Sequence, residues 1–134
     1  MHTITAFDAQ KRYILLQIQV ADKSEKMRNC IALLDTGAPA TEFSDEALEY
    51  LGFLKRTHPE IILRPGLQTQ KYGKIILPHI DVCSHTINGL EVYVSHFDKS
   101  WGIDALIGLD FFRRFRVTID YAAGHLITEP LQES

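Results

Sequence analysis

From Arg12 to Val20 apolar and polar positions alternate, with Ile14, Leu16, Ile18 and Val20 on one side and Tyr13, Gln17 and Gln19 on the other. That two-residue period is the signature of a half-buried strand. The polar cluster Ala21 to Lys26 turns the chain into a second strand, Met27 to Leu34, which ends on Asp35. Ser44 is a good helix N-cap, Asp45 and Glu46 suit the positive end of a helix dipole, and Phe43 can staple onto Leu48. A short helix to Leu51, closed by Gly52, is expected there. Ile61 to Leu63 and Ile75 to Leu77 read as strands flanking a polar, glycine-containing stretch from Pro65 to Gly73, as in a projecting hairpin. His79 to Ile87 and Leu90 to His96 form a second pair around Asn88-Gly89, a strong hairpin signal. After the loop Phe97 to Gly102 come a strand, Ile103 to Ile107, and a short helix, Leu109 to Phe115, with Asp110 placed to cap its start. Val117, Ile119 and Tyr121 alternate in a last outgoing strand, Ala122 to Gly124 turn, and His125 to Thr128 return. Many short strands and two small helices predict an all-β, barrel-like domain spanning 1–134, without repeats or an obvious linker.

Composition narrows the function classes. The 134 residues are 46% hydrophobic and 23% charged, ordinary for a globular domain, and the net charge of −3 offers no footprint for nucleic acid or an anionic membrane. No run approaches the roughly 18–20 apolar residues that span a bilayer, and Met1 to Thr5 do not open a signal peptide. A cytoplasmic protein with Cys30 and Cys83 reduced is expected.

The chemistry concentrates at Asp35. Asp is depleted in strands and seldom buried without a partner, so an acid that closes the run Ile31-Ala32-Leu33-Leu34 and opens the turn Thr36-Gly37-Ala38 points to a group kept for chemistry. Roughly seventy residues later, Ala105-Leu106-Ile107-Gly108 repeats the pattern of a strand stopped by glycine.

Leu33-Leu34-Asp35-Thr36-Gly37-Ala38, with Thr41-Glu42-Phe43-Ser44 and the helix to Gly52, resembles the active-site loop and following helix of retropepsin-like aspartic proteases. Ala105 to Phe112, running on to Val117-Thr118-Ile119-Asp120-Tyr121, resembles the second half of the same domain. Pro39-Ala40 departs from the family pattern, since proline fixes φ and removes a donor beside the substrate. The resemblance implies an acid protease barrel with one lobe per chain, Asp35 as the catalytic acid, and Thr36, Gly37 and Ala38 as its supporting loop. Gly37 would donate its N–H to the carboxylate, and Thr36 would hydrogen-bond across to a partner loop. It further implies a flap within 64–76, with Gly66, Leu67, Tyr72, Gly73 and Ile107 lining flap and cleft. Peptide hydrolysis of this type uses two carboxylates that share a proton, one acting as base and the other as acid. The chain holds one such loop, so it must pair with itself about a two-fold axis. The expected function is a homodimeric aspartic endopeptidase acting on extended peptide or protein substrates, with no metal or other cofactor. The alternative is a catalytically inactive dimeric module that holds a peptide or protein in the same cleft.

Other features have plainer readings. Alternation would put His79, Asp81, Cys83 and His85 on one strand face, but neighbours there lie roughly 6–7 Å apart and the expectation is a polar outer surface rather than a zinc site. Arg113, Arg114 and Arg116 fit a solvated helix end. Trp101 either lines the cleft or caps the barrel. Asp104 and Asp120 read as solvent-facing or locally hydrogen-bonded, and the terminal strands, near Met1 to Phe7 and Ile127 to Leu131, as the dimer interface.

Overall fold

A computed structural model describes residues 2–55 and 70–131. The expected strands Ile61 to Leu63 and the flap residues Gly66 and Leu67 lie outside them. Nine strands and two short α-helices follow in order: β1 (Thr3–Ala6), β2 (Leu15–Ala21), β3 (Met27–Leu34), β4 (Glu42–Ser44), α1 (Asp45–Tyr50), β5 (Gln70–Val82), β6 (His85–His96), β7 (Ala105–Ile107), α2 (Leu109–Phe112), β8 (Phe115–Asp120) and β9 (His125–Pro130). Six of the strands close a barrel in the order β2-β3-β7-β4-β6-β5, and the remaining three form a sheet in the order β1-β9-β8. No helix among the described residues is long and apolar enough to cross a membrane.

The alternation in β2 sends Leu16, Ile18 and Val20 into the barrel and leaves Gln17 and Gln19 exposed. β2 and β3 then pair as a hairpin from Leu15↔Leu33 to Ala21↔Met27. The strand begins at Leu15 rather than Arg12, although the Ile14 carbonyl still accepts the Leu34 N–H at 3.0 Å. The barrel closes where Gln19 and Val20 pair with Asp81 and Ile80. Phe43, Leu77, Ile80, Ile107 and Phe111 fill its interior at 0–1% exposure. Phe43→Ala is therefore expected to cost about 3–5 kcal/mol, read as a lowered urea midpoint with little change in slope.

The long hairpin turns elsewhere than Asn88-Gly89. β5 and β6 are joined by Cys83 and Ser84, both left-handed at φ 53° and 65°, as a two-residue primed turn requires. Gly89 does adopt φ 71°, but inside β6, between the pairs Leu77↔Leu90 and His79↔Asn88. The ladder is interrupted at that position, where Pro78 has no N–H to give, and glycine takes the left-handed φ without steric cost. The second helix is also shorter than expected: α2 ends at Phe112, and Phe115 already belongs to β8.

α1 forms as its sequence dictates, with Ser44 Oγ accepting the Ala47 N–H at 3.0 Å and Leu51 and Gly52 ending it. Before β7, Lys99–Trp101 make one 3-10 turn capped by Asp98, whose carboxylate is held below its usual range mainly by the Ser100 N–H. The strands near the two termini pair with each other within the chain, from Thr3↔Thr128 to Ala6↔His125.

Candidate active site

β3 delivers Asp35 to the end of the barrel beside β7, with which it runs parallel in the register Leu33↔Leu106 and Leu34↔Ile107. The ladder continues one step into the loop, since the Asp35 N–H donates to the Ile107 carbonyl at 3.0 Å. The loop then folds back on the acid. Gly37 N–H donates to Asp35 Oδ1 at 3.0 Å, and Ala38 N–H donates to the Asp35 carbonyl at 3.2 Å. A Cβ on Gly37 would stand only 3.3 Å from Oδ1, so a residue without a side chain suits this approach. Asp35 and Ala38 are half-buried and Thr36 and Gly37 exposed, which leaves the acid partly accessible.

Behind the loop a set of hydrogen bonds ties it to the segment after β7. Asp110 accepts both the Thr41 N–H at 2.9 Å and the Thr41 hydroxyl at 2.7 Å. Thr41 Oγ1 in turn accepts the Gly108 N–H at 3.2 Å, and the Thr41 carbonyl accepts the Tyr93 N–H at 3.0 Å. The Ala38 carbonyl accepts the Leu109 N–H at 2.8 Å. Pro39, the departure from the family pattern, sits exposed between Ala38 and Ala40, whose carbonyl oxygens both crowd Gly108. Asp110 is therefore not a cap: Gly108 is the N-cap of α2, and the Asp110 carboxylate crosses 69 residues of sequence to Thr41. Thr41 and Asp110 tie the Asp35 loop to the segment after β7, a link that sequence reasoning missed. The available signal was an acid inside the apolar run Leu109-Asp110-Phe111-Phe112, the same argument that singled out Asp35. Asp110→Ala is expected to cost about 1–3 kcal/mol, because the buried Thr41 N–H loses its acceptor, and thermal unfolding measures it.

The register also defines a wall beside the acid. Phe43, Val94 and Ala105 face the core, so their neighbours Glu42, Tyr93, Leu106 and Leu33 form a row on the outer face. Glu42 is buried there, accepting the Ser95 hydroxyl at 2.8 Å and standing 3.9 Å from Lys71 Nζ. Lys71 and Lys74 lie 5.0 and 5.1 Å from the Tyr93 ring centroid.

The other expected residues fall as follows. The Ile107 side chain is fully buried in the core, so this residue bears on Asp35 through its carbonyl rather than by lining a cleft. Gly73 pairs with Val94 on β5, and Tyr72 sits at the register shift between Lys71 and Gly73. Asp104 is neither solvent-facing nor local. Its carboxylate accepts the Ile31 N–H at 2.8 Å, its own N–H donates to the Ile31 carbonyl at 2.7 Å, and its carbonyl accepts the Ser44 N–H at 2.8 Å, extending the β3–β7 ladder. Asp120 is local, accepting the Ala123 N–H at 3.0 Å. Trp101 is 39% exposed with its ring 5.8 Å from the buried Phe97 ring. Arg113, Arg114 and Arg116 are exposed, and Arg114 Nε donates to the Asp110 carbonyl at 3.0 Å.

His79, Asp81, Cys83 and His85 do not share one face, because the turn at Cys83–Ser84 intervenes. Asp81 pairs with Thr86 and accepts its hydroxyl at 2.6 Å, whereas His85 pairs with the buried Val82 on the inward side. Cys30 and Cys83 are buried free thiols. Burial, with the Asp104 charge, pushes the Cys30 thiol up to about 12, and burial pushes Cys83 up as well. Both stay protonated at neutral pH.

No family model matches the chain, and no curated protein matches it. Solved structures do. A retropepsin-like aspartic protease from Rickettsia conorii is similar over 96% of this chain and 89% of its own, at 19% identity and a TM-score of 0.64. The retroviral protease-like domain of Ddi1 from Leishmania major is similar over 92% of this chain and 97% of its own, at 17% identity and a TM-score of 0.57. The chain thus has the all-β, retropepsin-like fold, with a closed barrel and two short helices.

Proposed function

We propose that this protein is a homodimeric aspartic endopeptidase in which Asp35 of each of two copies supplies one carboxylate of the catalytic pair. The reading rests on one observation above all: Asp35 stands at the barrel end on a frame that fixes its backbone through Ile107 and its carboxylate through Gly37. A lone acid so held provides half of a two-acid site, and a two-fold axis through the loop provides the other half. Two such carboxylates in contact cannot both ionise, so together they hold one proton. The ionised member then takes a proton from the attacking water while the protonated member gives one to the substrate carbonyl oxygen.

The substrate class follows from the surroundings. Extended peptide satisfies its N–H and C=O groups against main chain while alternate side chains meet the half-buried Leu33 and Tyr93, which flank the buried Leu106 and Glu42. Water and carboxylates suffice for this chemistry, so chelator is expected to leave turnover unchanged. The test is cleavage of an unfolded protein by wild type and Asp35→Asn, with the mass of each in solution by analytical ultracentrifugation. A persistent monomer, or equal cleavage by both proteins, overturns the proposal; a dimer that binds peptide without cutting it marks a holding module instead.

A further inference from the structure

An irregularity in the long hairpin brings two like charges together. Lys71 pairs with Ser95 and Lys74 with Tyr93, and between these pairs β5 passes two residues, Tyr72 and Gly73, where β6 passes one, Val94. In an uninterrupted strand, residues three apart point to opposite faces. The extra residue cancels that offset. Lys71 and Lys74 both fall on the outer side with the exposed Ile76, while Ile75 and Leu77 oppose the buried Val92 and Leu90. Both ammonium groups then reach one ring, at 5.0 and 5.1 Å from the Tyr93 centroid.

Neither ammonium is consumed by the protein. Lys71 Nζ lies 3.9 Å from Glu42 Oε2 and Lys74 Nζ lies 3.7 Å from Glu91 Oε1, both beyond hydrogen-bond reach, and among the described residues neither lysine side chain makes a hydrogen bond. The pair of Lys74 with Glu91 is exposed on both sides and contributes little. Glu42 is buried, with Oε1 accepting the Ser95 hydroxyl, and its charge holds Lys71 over the ring. Because the Lys71 side chain is 40% exposed and that of Glu42 5%, an incoming group meets the ammonium before the acid. Two cations with open donors, drawn to one ring against their mutual repulsion, suit a ligand of opposite charge.

The ladders fix where such a ligand would lie. Tyr93 stands beside Glu42, Glu42 beside Leu106, and Leu106 beside Leu33. Three strand spacings of about 4.8 Å separate Tyr93 from Leu33, and Asp35 is two residues beyond Leu33 on the same side of β3. The lysine pair is therefore within roughly 16 Å of the acid, a span of about five residues of extended chain.

We propose that Lys71 and Lys74 select substrates by a carboxylate side chain, aspartate or glutamate, at the position that crosses Tyr93, within about five residues of the cleaved bond. The cut itself rests on the reading of Asp35 given above; recognition of the acidic side chain requires only that extended peptide occupy this wall.

Decapeptide libraries, identical except for Glu or Gln fixed at one position at a time, test this by retention on the immobilised protein and by the cleavage sites found with mass spectrometry. Glu and Gln have nearly the same shape, so their ratio reads the charge. The net charge of −3 disfavours acidic peptides in general, so a preference for Glu reports a local site. Wild type is expected to favour Glu by about tenfold in both readouts, and about 1 M salt to shrink that ratio. Lys71→Gln/Lys74→Gln is expected to bring the ratio near one. Ratios near one in wild type, a ratio indifferent to salt, or an unchanged ratio in the double variant overturns the inference. Selective retention of Glu peptides without cleavage upholds it and overturns the protease reading instead. The wild-type ratio and its salt dependence decide the matter whether or not the variant folds.

Discussion

Asp35→Asn is expected to abolish peptide cleavage while leaving the size and fold of the dimer unchanged. The substitution is nearly isosteric, and the amide oxygen can still accept the Gly37 N–H that now reaches Oδ1 at 3.0 Å. What disappears is the shared proton. In the proposed homodimer one gene product supplies both halves of the pair, so the change would strike both acids at once and remove both water activation and protonation of the carbonyl oxygen. Positioned acid–base groups contribute roughly 10²–10⁴-fold each, so a loss of about 10⁴-fold or more in kcat is expected, with little change in KM. The wild-type pH profile should be a bell whose two limbs belong to the coupled pair rather than to either Asp35 alone.

Gly108→Ala is expected to lower turnover less than the first variant, by on the order of 10²-fold, and unlike it to weaken the fold as well. A Cβ there would lie 2.7 Å from the Ala40 oxygen and 2.8 Å from the Ala38 oxygen. Both are backbone atoms of the loop that carries Asp35, so no rotamer change relieves the contact. Overpacking of this kind costs typically 1–3 kcal/mol. Relief requires moving the Ala38–Ala40 segment, which also carries the bond to the Leu109 N–H. Displacement of a reacting group by about 1 Å can cost on the order of 10²-fold in rate. Stability by urea unfolding and turnover at saturating substrate separate the two effects.

The fold was legible where side-chain alternation is strict. β2, β3 and the β8–β9 hairpin follow the period of two, and α1 carries its own cap at Ser44. The β5–β6 turn was not, because Asn88-Gly89 bears the stronger turn chemistry, yet the pair lies within β6 and the chain turns at Cys83-Ser84. The turn that joins Asp35, Gly37 and Ala38 was legible because its hydrogen bonds link adjacent residues. Thr41, Asp104 and Asp110 were not. Their partners lie 69 to 73 residues away, and spacing along a chain carries no trace of a bond made across the barrel.

The parallel pairing of β3 with β7 also sets when the acid can take its place. Leu34 meets Ile107 only after the intervening strands β4 to β6 exist, and until then the Asp35 N–H has no Ile107 carbonyl to bind. Closing so large a loop before any contact rewards it makes this a late and slow folding step. On the ribosome, the acid therefore stays unplaced until β7 has emerged.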